Sequence, residues 1–303
     1  MRTPVLRRFA LTLLPTLALT IGALRSDPTH AQGQAPSRER TLFVSAVTDR
    51  GEPVDTLAPG DVMVREDGLR REVLRVSRAI EPIDLAVLVD NSQAASSALL
   101  DLRSSLRAFV TQMAGQNNVA VISIAARPTI LVDYTMNAAR LQDAVGRLFA
   151  QTDTGTTLLD GLTEISTGIG RREATRAVMV VVVTDGVEFT NRSSRDVVEA
   201  MQRAGVQMHA VTIGNFLIRN DTERERADVL DQGPRQTGGQ RVTLLTSTGL
   251  DQALQKLARE LSSQFKVVYG RPESLIPPEK TEVSSARAGL VVRGTPARGQ
   301  TGA

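Results

Sequence analysis

The chain has 303 residues, of which 41% are hydrophobic and 23% are charged, a balance that favours a folded globular protein. Cysteine is absent, which excludes disulfide bonds, thiolate metal sites and cysteine nucleophiles, and aromatic residues make up only 3%, which leaves few side chains to stack on nucleic acid bases. The formal charge of +3 equals the excess of four arginines over one aspartate in the first 31 residues, so the remainder is nearly neutral and we expect no nucleic-acid or anionic-membrane partner.

Residues 1–31 have the pattern of a secretory signal peptide. Arg2, Arg7 and Arg8 precede an apolar stretch, and the small residues of "THAQ" offer a cleavage point after Ala31. The alternative is a transmembrane anchor, but an apolar run of about 16 residues, interrupted by threonines and a proline, is shorter than the ~20 residues that a span needs. We therefore expect an exported protein, periplasmic or secreted, whose mature chain has no membrane span.

Strand-like alternation follows this segment. Residues 32–40 are polar and predict a flexible leader. Within residues 41–82, the segments "TLFVSAVTD", "DVMVRED" and "REVLRVSR" alternate apolar and polar side chains and predict three short strands. Three short strands bury little core alone, so we expect them to pack on another part of the chain.

Residues 83–263 alternate between buried strands and amphipathic helices, which predicts a doubly wound, mostly parallel α/β domain. The predicted elements are, in order, a strand in "IDLAVLVD", a helix over 96–114, strands in "NVAVISIAA" and "TILVDYT", helices over 141–149 and in "TLLDGLTEISTGI", a strand in "AVMVVVVTDG", a helix in "SRDVVEAMQRAG", a strand in "VQMHAVTIG", a partly helical and solvated charged segment with "DTERERAD", a strand in "QRVTLL" and a helix over 250–261. Further strands in residues 264–303, "QFKVVYG", "TEVSSAR" and "GLVVRG", are expected to join the N-terminal strands in a small accessory β module.

Two of the buried strands end in an aspartate. Asp90 closes "AVLVD" and Asp185 closes "VVVVTD", and ligands of such sheets bind outside the carboxyl ends of the strands. If the two strands are neighbours, both carboxylates face one crevice, and the loop "TDTGTTLLDGL" adds hydroxyl groups. Oxygen ligands without histidine or cysteine suit Mg²⁺, Mn²⁺ or Ca²⁺.

These three segments resemble the von Willebrand factor A (VWA) domain, a Rossmann-like fold, and its metal-ion-dependent adhesion site. The family pattern is Asp-x-Ser-x-Ser, a threonine in a Gly-rich loop and the aspartate of Thr-Asp-Gly. The resemblance therefore assigns Asp90, Ser92, Thr156 and Asp185 as metal ligands, with Thr157 as the alternative to Thr156. The terminal strands resemble those of an exported VWA-related family common in acidobacteria, which extends the resemblance to nearly all of the mature chain.

The resemblance implies a protein-binding or adhesion module outside the cytoplasm, in which the bound cation leaves one position open for a partner's acidic side chain. The chain departs from the pattern at Ala94, which replaces the second serine and has no oxygen, so metal affinity should be weak or lost. Without a metal, Asp90 would be a helix N-terminal acid, Ser92 a helix cap and Asp185 part of a turn.

Two other functions stay open: a metal-free VWA scaffold that binds through another surface, and a metal-dependent hydrolase. A Ser-His-Asp mechanism needs a histidine, and cleavage of the signal leaves only His209, inside a predicted strand. No Gly-Lys-Ser/Thr phosphate loop follows any strand. We therefore expect a protein that binds and is not an enzyme.

Overall fold

A computed structural model describes residues 37–272, 276 and 278–297 of the chain. The described strands are β1 (Ser37–Thr48), β2 (Val62–Glu66), β3 (Leu69–Arg71), β4 (Val73–Arg78), β5 (Asp84–Val89), β6 (Asn118–Ser123), β7 (Thr129–Thr135), β8 (Ala177–Thr184), β9 (Val206–Ile213), β10 (Arg241–Leu244), β11 (Phe265–Pro272), β12 (Thr281–Ser285) and β13 (Leu290–Pro296). The described helices are α1 (Leu99–Met113), α2 (Ala138–Gly146), α3 (Leu158–Arg172), α4 (Ser194–Arg203), α5 (Asp221–Gln236) and α6 (Leu250–Ser262). The predicted signal peptide lies outside the described residues.

A six-stranded sheet with the order β10-β9-β8-β5-β6-β7 forms the centre of the fold. Its strands are parallel, apart from β7, which runs antiparallel to β6 at one edge. The chain winds outward from β5 in both directions, so the strand order reverses there, and β5 lies directly between β6 and β8. The predicted doubly wound, mostly parallel α/β fold is confirmed.

Both faces of the central sheet are covered by helices. Along β5, Leu85, Val87 and Val89 pack on one face with α1, α2 and α6, whereas Ala86 and Leu88 pack on the other with α3, α4 and α5. Because every second side chain of a strand points to the same face, a strand buried on both faces must be apolar throughout. This explains the uninterrupted apolar runs of β5 and β8.

The N-terminal and C-terminal strands pair with each other in two antiparallel sheets. One sheet has the order β13-β1-β11-β4 and the other has the order β12-β2-β3. Strand β1 lies between β11 and β13, with Ser37 opposite Pro272 and Thr48 opposite Leu290. The predicted accessory β module from both ends of the chain is therefore confirmed, as two sheets that share an apolar core.

Two N-terminal predictions are wrong in detail. The last four residues of the predicted leader, 37–40, belong to β1. The N-terminal region has four strands instead of three, because β2 and β3 form a hairpin around Asp67 and Gly68. Both turn residues have positive φ, 48° and 81°, as a two-residue turn that matches the twist of the strands requires.

The predicted helix over 141–149 is also too long. Helix α2 ends at Gly146, and Leu148 and Phe149 lie in the following loop. Leu148 still packs in the core, which explains why the apolar spacing continues past the end of the helix. The helix predicted over 96–114 begins with a short 3₁₀ turn, Gln93–Ala98, before α1. In the described part of the chain, no helix has both the length and the apolar character of a membrane span.

Candidate functional site

The candidate site lies where β5 and β8 end side by side. Val89 is paired with Val182, and the backbone N–H of Asp90 donates to the carbonyl of Val182 at 2.8 Å. The predicted neighbourhood of the two strands is therefore observed, and the loops after both strands begin at the point where the strand order reverses.

Asp90 joins these two loops through its side chain. The carboxyl group is fully buried, and its Oδ1 accepts a hydrogen bond from the N–H of Ser92 at 2.8 Å. Its Oδ2 accepts two more from Thr184, one from the N–H at 3.0 Å and one from the hydroxyl. Three donors thus fix the orientation of a buried carboxylate at the end of β5.

Ser92 has a fully buried hydroxyl whose Oγ finds no hydrogen-bond partner among the residues that the structure describes. Ser92 immediately precedes the 3₁₀ turn, yet its side chain makes no capping hydrogen bond in that turn. The interpretation of Ser92 as a helix cap is therefore wrong. A buried polar atom without a partner is unfavourable and calls for an explanation such as an ion or a water molecule.

Ala94 and Gly186 lie against Ser92. A Cβ atom added to Gly186 would lie 3.0 Å from the Cβ of Ala94 and 3.1 Å from the Oγ of Ser92. The side chain of Ala94 therefore points to the space that Ser92 and Gly186 enclose, where the second serine of the family pattern would add an oxygen. The close approach of Ala94 and Ser92 explains why a glycine, which has no Cβ atom, follows Asp185.

Thr156 is held beside the loop that follows β8. Its N–H donates to the carbonyl of Val187 and its carbonyl accepts from the N–H of Phe189, both at 2.8 Å. The two candidate hydroxyls differ in their contacts, because the Oγ1 of Thr157 donates to the carbonyl of Ile124 at 3.0 Å, whereas that of Thr156 is 3.4 Å from the same oxygen. Because its hydrogen bond is longer, the Thr156 hydroxyl is the better candidate of the two for a metal ligand.

Asp185 differs from the other predicted ligands in its exposure and direction. Its side chain is exposed, and its Oδ2 accepts from the N–H of Asn215 at 3.2 Å. A Cβ atom on Gly214, which has a φ of 104°, would lie 2.7 Å from the Asp185 carboxyl carbon. The structure thus brings Asp90 and Ser92 together and turns the Asp185 carboxylate towards the loop after β9.

Asn91 and Gln93 occupy variable positions of the motif and hold the surrounding loops. The Asn91 amide donates to the carbonyl of Phe149 at 2.9 Å and accepts from the N–H of Ala125 at 3.1 Å. The Oε1 of Gln93 accepts from the N–H of Asp153 at 3.0 Å. These roles depend on the fold and have no signal in the local sequence.

Glu188 is a second buried carboxyl group that the sequence interpretation missed. It is 2% exposed, its Oε1 accepts from the N–H of Leu159 at 3.2 Å, and its Oε2 has no hydrogen-bond partner within the described part of the chain. Burial raises its pKa to about 8. Its only sequence signal is its position three residues after Asp185.

Arg226 also lies at the site, although the charge pattern of "DTERERAD" predicts a solvated helix. The helix forms as α5, but Glu223 and Arg226 are each 2% exposed, so the prediction of a solvated segment is wrong for these two residues. Arg226 donates to the carbonyl of Gly186 through its guanidinium group. Apolar residues at helical spacing predict a buried helix face, but Glu223 and Arg226 are charged, so the sequence gives no sign that this part of α5 is buried.

The residues fit a hard cation in their chemistry. Within residues 37–272, 276 and 278–297, no three His, Asp or Glu side chains form a group that could hold a metal, so hydroxyl oxygens would have to contribute. The unpartnered Oγ of Ser92 beside the Asp90 carboxylate is such an oxygen. The direction of Asp185 and the methyl group of Ala94 leave the donor set smaller than the family pattern requires.

Residues 85–188 match the family model of the von Willebrand factor type A domain. The matched range begins in β5 and ends at Glu188, so it contains all four predicted ligands. Over these residues, about a third of its length, the chain is therefore similar to a von Willebrand factor type A domain. No curated protein sequence matches the chain.

Solved structures are similar to the chain at low sequence identity. Proximal thread matrix protein 1 from the mussel byssus matches with a TM-score of 0.50 and 14% identity, over 65% of this chain and 50% of that one. Its structure "with zinc occupied MIDAS motif" matches with a TM-score of 0.51 and 15% identity, over 65% of this chain and 49% of that one. A von Willebrand factor type A protein from Catenulispora acidiphila matches with a TM-score of 0.49 and 11% identity, over 87% of this chain and 73% of that one. The chain spans about half the length of the mussel chains, and the likeness concerns the fold alone.

Proposed function

We propose that this chain is an extracytoplasmic protein-binding module in which a divalent cation at Asp90, Ser92, Thr156 and Asp185 engages an acidic side chain of a partner protein. One observation carries the proposal: the fully buried hydroxyl of Ser92 has no partner among the described residues and lies next to the Asp90 carboxylate. A hard cation would satisfy that oxygen and offset the buried charge.

Mg²⁺ is the proposed ion, with Mn²⁺ or Ca²⁺ as alternatives, because the donors are carboxylate and hydroxyl oxygens. When bound, such an ion would supply an electrophilic coordination position for a carboxylate. The mussel protein, whose MIDAS motif is occupied by zinc in one structure, supports a divalent metal at this position of the fold. Ala94 contributes no oxygen, so we expect weak affinity.

Apolar side chains around the site support a protein partner. Large side chains with exposures between 41% and 61% lie on three of the loops at this edge of the sheet: Phe149, Val187, Phe189, Leu217 and Ile218. Exposed apolar groups near a polar centre are typical of protein-binding surfaces. The predicted export of the chain, and its likeness to an acidobacterial VWA-related family, belong to the proposal as well.

Isothermal titration with Mg²⁺ and Mn²⁺ tests the metal directly. Wild type should bind, Ser92→Ala should lose most of the heat, and Ser96→Ala should keep it. Ser96 is the matched control because it lies in the 3₁₀ turn that directly follows Ser92, and its exposed hydroxyl already donates to the carbonyl of Gln93 at 2.7 Å. An absence of binding heat for the wild-type protein would refute the proposed metal site.

A metal-free scaffold that binds through another surface is the second candidate. Both Asp90 oxygens already accept hydrogen bonds from within the chain, and Ala94 removes a ligand, which favours this alternative. We propose binding over catalysis for either candidate, because His209 lies buried in β9, away from the strand ends. Phosphatase and esterase assays on the Mn²⁺-loaded protein would expose a hydrolase.

A further inference from the structure

Arg226 is the largest fully buried side chain in the described part of the chain. It projects from α5 towards the loop after β8, where it donates a hydrogen bond to the carbonyl of Gly186. Its guanidinium carbon lies 4.9 Å from the ring centre of Phe216, in the loop after β9. Arg226 thus contacts both loops that surround the Asp185 carboxylate.

Four acidic side chains act on the charge of Arg226. Burial lowers its pKa, and the carboxylates that oppose this effect are those of Glu188, Glu223, Asp90 and Asp185. The coupling is mutual, because Arg226 also lowers the pKa of Glu188, against the larger effect of burial. Three of these four acids follow β5 or β8, and two of them are predicted metal ligands.

We propose that Arg226 is a built-in cation of this site, which balances its carboxylates in the metal-free protein and thereby weakens the binding of a divalent ion. The inference rests on the proposed function, because it assigns the control of affinity at the same site. It also explains how the Asp90 carboxylate can be buried without a metal, because a fixed positive charge lies at the same site.

The expected consequence is a site that responds to the ambient concentration of divalent ions. A cation that enters beside Asp90 is repelled by the guanidinium charge, which cannot move away because Gly186 and Phe216 hold it on two sides. Ala94 weakens the site further. From the Arg226 charge and the oxygen missing at Ala94, we expect the metal site to be half-saturated at millimolar concentrations of divalent ion, where extracellular calcium modules operate. Partner binding would then require an environment rich in divalent ions.

The test compares Arg226→Met, which removes the charge at similar length, with Arg226→Lys, which keeps the charge and loses the forked donor. Arg224→Gln is the matched control, because Arg224 lies on the same helix and its side chain is exposed. Circular dichroism establishes folding, thermal unfolding is measured with and without Mn²⁺, and the Mn²⁺ affinity is measured by titration.

We expect Arg226→Met to unfold at a lower temperature without metal, to gain more from Mn²⁺ than wild type, and to bind Mn²⁺ about tenfold more tightly. Arg226→Lys and Arg224→Gln should bind as wild type does. If Arg226→Met fails to fold without metal, folding restored by Mn²⁺ supports the inference and failure of Mn²⁺ to restore it overturns the inference.

The remaining outcomes separate the two proposals. A wild type that ignores Mn²⁺, with an Arg226→Met variant that binds it, supports the inference and refutes the metal-dependent function of the natural chain. A wild type that binds Mn²⁺, with an Arg226→Met variant that binds it no more tightly, overturns the inference and leaves the proposed function intact. No response in either protein overturns both.

Discussion

The methyl group of Ala94 and the hydroxyl of Ser92 lie on the same side of Gly186. A Cβ atom on this glycine would be within 3.1 Å of both groups. Ser92 offers an oxygen that has no partner in the described residues, whereas Ala94 offers none. The oxygen missing at position 94 is therefore one cause of the weak metal affinity that we expect at the proposed site.

The variant Ala94→Ser should raise the affinity for Mg²⁺ and Mn²⁺ by about tenfold, because it adds a hydroxyl ligand in the space that faces Ser92. Titration calorimetry measures the change. The same substitution in a Ser92→Ala background is the control, and the gain should disappear there. An unchanged affinity for Ala94→Ser would show that the site has lost more than this one ligand.

Asn91 connects three loops at the scale of the elements. Its amide bonds the loop after β6 at Ala125 and the loop after α2 at Phe149, 34 and 58 residues away in the sequence. The neighbouring Gln93 makes one such contact, to Asp153. The arrangement of the loops around the site therefore depends more on Asn91 than on Gln93.

Replacing Asn91 by alanine should lower the free energy of unfolding by about 2 kcal/mol, since it leaves a buried N–H and a carbonyl without partners. Gln93→Ala, an exposed position in the same motif, should change it by less than about 0.5 kcal/mol. Urea unfolding measures both. Equal effects of the two substitutions would contradict the proposed role of Asn91.

The elements of the central sheet could be predicted because their signals are local. Asp90 and Asp185 directly follow apolar runs, and the alternation of strands and helices implies neighbouring carboxyl ends. The hydrogen bonds of Asn91 and the burial of Arg226 could not be predicted, since both depend on tertiary contacts. From sequence alone, a charged run such as "DTERERAD" reads the same whether all of its side chains are solvated or one of them is a buried cation.

At the scale of the whole molecule, buried polar contacts join the accessory sheets to the α/β domain. The Gln264 amide donates to Ser45 of β1 at 3.0 Å and to Gln207 of β9 at 2.7 Å. Arg293 of β13 donates to Glu260 of α6 at 2.7 Å. We expect this junction to control the stability of the described fold as a unit.

His209 lies at this junction and should make the fold sensitive to acid. It is 1% exposed, and neither ring nitrogen has a hydrogen-bond partner in the described part of the chain. Burial lowers its pKa from 6.5 to about 4; Glu260 acts in the opposite direction and Arg293 in the same direction. Because the unfolded chain takes up the proton first, His209 contributes stability above about pH 6.5 that is lost towards pH 4.

Between pH 7.5 and pH 5.0, wild type should therefore lose about 2 kcal/mol more than His209→Gln, which has no proton to bind. Urea unfolding at the two pH values measures the difference, and the carboxylates affect both proteins alike. Parallel losses in the two proteins would show that His209 does not titrate in this way.

The most direct measurement of the central claim is anomalous diffraction from crystals of the protein grown with Mn²⁺. The proposed site predicts a peak within coordination distance of the Ser92 hydroxyl and close to the Asp90 carboxylate, and predicts its loss in Ser92→Ala. A Mn²⁺ peak elsewhere, or a featureless map at this site in crystals saturated with Mn²⁺, would contradict a cation at the ends of β5 and β8.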